Sequence, residues 1–337
     1  MDITSIKGKK ITLIGGAGFI GHNMALKLKS LGAEVSVIDG LNVNSLLYLN
    51  QTNVEIENRS RYINFINERT RLLSIEGIPL YVEDARDYHK LAQTISLIEP
   101  DVVVLLAAVS HANRSNKDPF STFDHSFRTL ENALDCCKNK VDHFIYFSSS
   151  MVYGDFKEDS VSEDAVCNPI GIYGSLKLGG EHLVKAYKQV FGLDYTIVRP
   201  SALYGERCVS RRVGQIFIEN ALDGKEIVIQ GDGSDRLDFT YIDDLVGGVV
   251  NIIENKNSRN EIFNITYGSS RSLIEMSEII RDHFGTVKII SKDRSNLMPE
   301  RGTLNVDKAK ELIGYNPCHP LEIGYVNYIN WYKEFFN

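Results

Sequence analysis

The chain has 337 residues, enough for a large core, and its length suggests about two domains or one large α/β unit. A formal charge of −7 argues against a general nucleic-acid binder, because affinity for a phosphate backbone comes from a basic surface; any anionic ligand must be met by local arginines. The longest apolar run, 102–109, is far short of a membrane span, and no long apolar stretch precedes the first strand, so no membrane partner and a cytoplasmic location are expected.

In chain order, short apolar runs alternate with segments of helical period. Strands are predicted over 10–14, 34–38, 79–82, 101–106, 144–147 and 195–198, and helices over 21–31, 88–98, 122–138 and 173–191. Such repetition means an α/β fold with a Rossmann-type, doubly wound parallel sheet. Residues 1–198 are read as the dinucleotide-binding domain and 199–337 as a smaller α/β substrate lobe, discontinuous because 226–254 are expected to return to the first unit. In that lobe the pattern loosens, with helices over 213–222, 243–254, 273–283 and 307–312 and a strand over 226–230. The segment 41–77 is long, and "RYINFINERTRLLSIEG" within it reads as helical without an evident role. Cys136, Cys137, Cys167, Cys208 and Cys318 form no CxxC pair, so neither a disulfide framework nor a metal site is expected.

The stretch "ITLIGGAGFIGHNM" sets Gly15, Gly18 and Gly21 where the first strand turns into the first helix. A pyrophosphate there needs a tight turn and a close backbone, which residues without Cβ allow. The helix start at Phe19 and Ile20 then offers free N–H groups and the positive end of the helix dipole. Asp39 ends the second strand, where a carboxylate accepts the adenosine ribose hydroxyls and repels a 2′-phosphate, so the expected cofactor is NAD rather than NADP.

Further on, "IYGSLKLGGEHL" puts Tyr173 and Lys177 four apart on one face of a helix. A phenol of free pKa ~10 is a poor base at neutral pH. Lowering it to ~7 takes roughly 4 kcal/mol, which a neighbouring ammonium and a cationic nicotinamide are expected to supply. In isolation the pair is an ordinary surface spacing.

Context changes that reading. With "GGAGFIG", Asp39, "YVEDARD", "LLAA", "SSSMVYG", "NPIGIYGSLK", "IVRPSALYG", "IQGDGSDRLDFTYIDDL" and "LIGYNPCHPLEIGY" in this order, the chain resembles the extended short-chain dehydrogenase/reductase family, the NAD-dependent nucleotide-sugar epimerases and dehydratases, over essentially its full length. The resemblance implies Ser149 as the hydroxyl that bonds the substrate oxygen, Tyr173 as acid and base, and Lys177 on the nicotinamide ribose. Asp84 and Ala85 would meet the adenine, although an Asp after a strand is also an ordinary helix cap, and Ala107 and Ala108 would line the nicotinamide side. Ser110, His111, Ser150 and Ala202 fall on substrate-facing positions, while Ser148 and Ser150 can equally bond backbone at the strand end. A homodimer built on the 122–138 and 173–191 helices is also implied.

Two departures stand out: the Asn usual after "LLAA" falls on His125 or Ser126, and the Asn usual before the second "YG" is Ala202. Met151 is the informative one. Dehydrating and decarboxylating members carry acids after the serine and 3,5-epimerases a cysteine, whereas a thioether neither gives nor takes a proton. What remains is oxidation and re-reduction at one carbinol carbon, hence a nucleoside-diphosphate-sugar 4-epimerase. Net dehydrogenation to a 4-keto sugar, with the same three residues, is the alternative, and an NAD-binding regulator without turnover is disfavoured by their presence. Arg207, Arg211, Arg212, Arg236 and Arg301 are candidates for the diphosphate; the pair Arg211 and Arg212 could equally be a solvated face, and Arg236 stands one residue earlier than the family's arginine and could instead be a surface ion pair.

Overall fold

The structure is a computed structural model that describes residues 5–42, 45–51, 55–109, 112–294 and 298–336. Seven strands form the central sheet: β1 (Lys10–Ile14), β2 (Glu34–Asp39), β3 (Leu80–Val82), β4 (Val102–Leu105), β5 (His143–Phe147), β6 (Tyr195–Arg199) and β7 (Glu261–Asn264). Their order is β7-β6-β5-β4-β1-β2-β3, every pair parallel. Helices cover both faces, so the inner strands are apolar on both sides; β4 reads Val-Val-Val-Leu with all four residues buried. The order reverses between β1 and β4, and in open α/β sheets that switch point opens a crevice at the carboxyl ends of the strands.

Sequence periodicity missed β7, which is short and mixed in composition. Within the 226–254 stretch expected to return to the first unit, the strand Ile227–Gln230 pairs with Ile289–Lys292, outside the central sheet. The helix that follows, Ile242–Glu254, packs on Phe19–Ser30. The predicted helix over 122–138 is interrupted: Pro119–Phe123 runs into a π-helical turn, Asp124–Arg128, before Thr129–Cys137 resumes the α-helix. Such turns widen a helix by one residue and often mark functional sites.

The 41–77 segment acquires its role here. With α1 as Phe19–Ser30 and α2 as Arg59–Ile75, α2 packs on α1 and on the helix Leu321–Phe335. Phe65 of α2 lies within 4.9–5.6 Å of the rings of Trp331, Tyr332, Phe335 and Phe336, an aromatic cluster that fastens the end of the chain to the cofactor side. Beneath it, Glu219 is buried with its carboxylate saturated: Tyr62 and Asn58 donate to one oxygen at 2.8 Å, and Tyr332 and Gln215 to the other at 2.9 Å. A buried charge is tolerable only with such a full set of donors.

A second buried charge lies at the carboxyl end of β6. Arg199 forks onto Glu181 at 2.9 and 2.7 Å with both side chains at most 3% exposed, and its second terminal nitrogen donates to Tyr153 and the Glu163 carbonyl. Truncating one partner strands the other charge in the interior. Arg199→Leu is therefore expected to lower unfolding stability by about 3–5 kcal/mol in urea titrations followed by circular dichroism, and a loss below about 1 kcal/mol would show that the pair does not hold this end of the sheet.

Candidate active site

At the switch point, the chain leaves β1 through Gly15 with φ +85°, a conformation that residues with Cβ rarely adopt. A Cβ there would stand 2.5 Å from the Ala107 backbone nitrogen, so the turn lies directly on the end of β4. Gly18 caps α1 without a side-chain bond, which leaves the first-turn N–H groups open to a ligand. Gly15, Gly18, Phe19, Ile20 and Gly21 line one wall of a cavity of about 420 Å³. Asp39 lies on the same cavity, as do Asp84 and Ala85 beyond β3 and Ala107 and Ala108 beyond β4.

Asp39 accepts the Ala17 and Leu41 N–H groups at 3.0 and 2.8 Å, which fixes its carboxylate at the turn; burial raises its pKa against those bonds. Asp84 is held by Arg86 at 2.6 Å, and the Arg86 guanidinium keeps its carboxyl below the usual range. The cap of the next helix is Asp87, which accepts the Lys90 N–H at 3.2 Å, so Asp84 is left to face the cavity. His125, on the π-helical turn, also lines it. A tight turn against a strand end, an uncapped helix start and a carboxylate 21 residues after Gly18 fit a dinucleotide.

The second half of the site is carried by the helix α3 (Gly171–Phe191). Asn116 caps its first turn, its side-chain oxygen accepting the Ile172 N–H at 3.0 Å. A Cβ on Gly174 would lie 2.6 Å from the Met151 carbonyl oxygen, so only glycine lets this helix rest on the serine turn. That contact brings Tyr173 to Ser149. Ser149 Oγ accepts the Met151 N–H at 3.2 Å, which leaves its own O–H free to donate into the cavity that Tyr173 also lines. One turn on, buried Lys177 donates to the Phe147 carbonyl at 2.6 Å and lies 5.1 Å from the centre of the Tyr146 ring.

The electrostatics differ from the sequence reading in one respect. Burial raises the Tyr173 phenol, and the groups that oppose this are Arg212 and the Ser149 hydroxyl; Lys177 is aimed at the strand carbonyl instead. Burial likewise lowers Lys177 to about 8, against the pull of Glu181 one turn further along α3.

Ser149, Ser150, Tyr173 and Lys177 line a second cavity of about 500 Å³, which shares Ile20, Leu106, Ala108, Leu203 and Arg212 with the first. Met151, Ala202 and Arg301 also face it. Arg301 is pushed down to about 10 by burial and by Arg212 and Arg294 nearby, a concentration of cations in an acidic protein. Two of the candidate arginines are not brought to this cavity. Arg207 adopts φ +60° and sends its guanidinium to α1, where it bonds His22 and Asn23 at 2.8 and 2.9 Å. Arg236 bonds Ser270 and faces Glu275 at 3.3 Å on the surface. Ser110 and His111 lie outside the described residues. No group of three metal-ligating side chains occurs among the described residues.

Sequence reasoning passed over Arg69 and Glu181 and left the place of Arg212 open. Arg69, fully buried in α2, lines the cofactor cavity, and nothing in a polar-looking helix signalled it. Arg212, a candidate for the diphosphate or for a solvated face, lines both cavities, and its charge opposes the rise that burial gives the Tyr173 phenol. Glu181 was legible as the residue four beyond Lys177 on the same helix face.

Replacing Asp39 by Ala removes the carboxylate from the cofactor cavity. Asp39→Ala is expected to weaken NAD binding by about tenfold and to raise the ratio of NADP to NAD affinity, measured by titration of stripped protein; an unchanged ratio would take Asp39 off the ribose.

Comparison with known proteins agrees with this geometry. The model of the NAD dependent epimerase/dehydratase family matches residues 11–266. A Bacillus subtilis protein described as an uncharacterized UDP-glucose epimerase is 30% identical over 97% of this chain and 99% of its own, and UDP-glucuronate 4-epimerase 1 of Arabidopsis thaliana is 27% identical over 98% of this chain and 78% of its own. Among solved structures, UDP-glucuronic acid 4-epimerase from Bacillus cereus, in complex with UDP-glucuronic acid and NAD, superposes with a TM-score of 0.85 at 27% identity, covering 97% of this chain and 99% of that one. The family match spans more than half of the chain and takes in both the glycine turn and the Ser149–Tyr173–Lys177 group, so this protein belongs to the NAD-dependent epimerase/dehydratase family.

Proposed function

We propose that the protein is an NAD-dependent nucleoside-diphosphate-sugar 4-epimerase, acting on a UDP-sugar. One observation carries the reading: Ser149 and Tyr173 face one cavity together with Met151, two residues after the serine, which has no proton to give or take. Relatives within the family include a dTDP-D-glucose 4,6-dehydratase of Dictyostelium discoideum, 29% identical over 76% of this chain. Elimination of water needs an acid and a base beyond the tyrosine, and the Met151 position supplies neither. Uridine is supported by the relatives whose names and bound ligands are UDP-sugars.

The turn at Gly15 and Gly18 together with Asp39 would hold the NAD, which would supply the hydride acceptor and donor for C4. The chain's own residues do the rest. Ser149 holds the C4 oxygen, with its Oγ kept in place by the Met151 N–H. Tyr173 takes the hydroxyl proton as the ketone forms and gives it back on reduction; Arg212 and Ser149 favour its phenolate against the burial that opposes it. Lys177, anchored on Phe147, keeps a positive charge near the ribose side of the site. Arg301 and Arg212 are assigned to the diphosphate, as forked donors that meet phosphate oxygens two at a time. A sugar bound chiefly through its nucleotide can turn over its 4-keto ring and present the other face.

We also place the protein as a homodimer that works in the cytoplasm in carbohydrate biosynthesis. Support for the dimer is the exposed apolar surface by α3, where Phe120 is 85% and Val190 71% exposed. Support for the compartment is that all five cysteines are free.

Three measurements test this reading. Purified protein offered UDP-, GDP-, CDP- and dTDP-sugars is expected to isomerise a UDP-sugar without net NADH; stoichiometric NADH with a keto product would make it a dehydrogenase instead. Tyr173→Phe is expected to lower kcat by about 10²–10⁴-fold with NAD still bound, and retained turnover would remove the phenol from the mechanism. Gly174→Ala, which drives a methyl against the Met151 carbonyl, is expected to cost about 10²-fold in kcat by separating Ser149 from Tyr173, with little effect on NAD content.

A further inference from the structure

Between the two cavities runs the loop 205–212, and its backbone is unusual. Gly205, Arg207 and Arg211 have φ of +145°, +60° and +49°, and the two arginines adopt a left-handed conformation that side-chain-bearing residues populate at a cost of about 1 kcal/mol or more each. Such a loop persists only where its surroundings hold it. Ser210 and Arg212 of this loop line the cofactor cavity, and Arg211 and Arg212 line the substrate cavity, so its conformation bears on both.

Arg211 at its far end is held by Gln215, which accepts its N–H at 2.9 Å, and by an ion pair with Glu57, whereas Arg207 is restrained from the cofactor side. Arg69 of α2 donates to the Arg207 carbonyl from Nε at 3.0 Å and from Nη2 as well. Arg207 in turn donates from Nε to His22 Nε2 at 2.8 Å and from Nη2 to Asn23 Oδ1 at 2.9 Å. His22 lies 2.9 Å, through Nδ1, from the Gly18 carbonyl, and Asn23 donates to the Phe19 carbonyl at 2.9 Å. These bonds settle the histidine's tautomer: Nδ1 carries the proton given to Gly18, so Nε2 is a lone pair that can accept from a guanidinium. Complete burial beside Arg69 and Arg207 keeps His22 well below its ordinary pKa and therefore neutral, as this arrangement requires. Both anchors thus end on the carbonyls of Gly18 and Phe19, the residues whose turn forms the pyrophosphate end of the cofactor cavity.

We propose that His22 and Asn23 are positioning residues that couple the two ligands, transmitting the state of the cofactor turn through Arg207 to the loop that presents Arg212 to the nucleotide sugar. The proposal rests on the function assigned above, since it takes the second ligand to be a nucleoside diphosphate. Arg207, expected at the phosphates, then acts one step behind them. Because coupling between two binding equilibria is reciprocal, a nucleoside diphosphate must tighten the cofactor by the same factor by which the cofactor tightens the nucleotide.

The test measures NAD dissociation from the holoprotein with and without saturating UDP. In the wild type UDP is expected to strengthen NAD binding by about tenfold; in His22→Leu and in Asn23→Ala that ratio is expected to fall to within about twofold of unity, although NAD and UDP each still bind alone. A merely structural role would weaken each ligand and leave the ratio intact, and the wild-type ratio retained in both variants overturns the proposal. Asn23 is only half-buried, so Asn23→Ala carries the test should His22→Leu fail to fold. Failure of UDP to bind the wild type refutes the nucleotide-sugar reading; UDP binding with no change in NAD dissociation refutes the coupling alone.

Discussion

Taking a phenol and an ammonium out of water one helical turn apart is the constraint that shapes this molecule. Desolvation drives both toward neutrality, raising Tyr173 and bringing Lys177 down to about 8. Polar groups around them restore part of what burial removes: the Ser149 hydroxyl and Arg212 act on the phenol, and Glu181 acts on the amine. Glu181 also accepts the Ser148 hydroxyl at 2.5 Å and the Arg199 fork. The buried ion pair at the end of β6 and the reactive serine turn at the end of β5 are therefore one network, and the stability of the sheet end and the alignment of the site have a common origin.

Charge is distributed to the same purpose. The protein is acidic overall, yet Arg69, Arg212 and Arg301 line two joined cavities. Arg69 and Arg301 both have their pKa pushed down to about 10, chiefly by burial, and a nearby anion favours their charged forms. An acidic exterior with a cationic interior also discourages extended polyanions while admitting a small diphosphate.

The insertion after β2 explains how the carboxyl-terminal helix reaches the cofactor side. Phe65 supplies an aromatic anchor, Glu219 ties α2 to two other helices, and Arg69 holds the Arg207 carbonyl. A segment far from the reacting groups in sequence thereby fixes the loop that separates the ligands.

Much of this was legible before the fold. Glycines at 15, 18 and 21 with an acid at 39 and alternating strands and helices specify a dinucleotide sheet, because each follows from local geometry that short stretches of chain determine, whereas Tyr173 and Lys177, an ordinary helix spacing alone, were picked out by the order of the motifs around them. Met151 could be read too, since the lack of a titratable group belongs to the residue itself. What sequence could not supply were contacts between distant segments. Whether Arg207 or Arg212 faces the ligand depends on a left-handed turn at residue 207 and on partners 185 and 184 positions away. Which cation acts on Tyr173 depends on where Lys177 finds a carbonyl. Strand β7 joins the sheet through pairing with β6 rather than through any strong pattern of its own. Local propensity and residue chemistry determined the scaffold and the reacting groups; long-range packing decided which charges meet them.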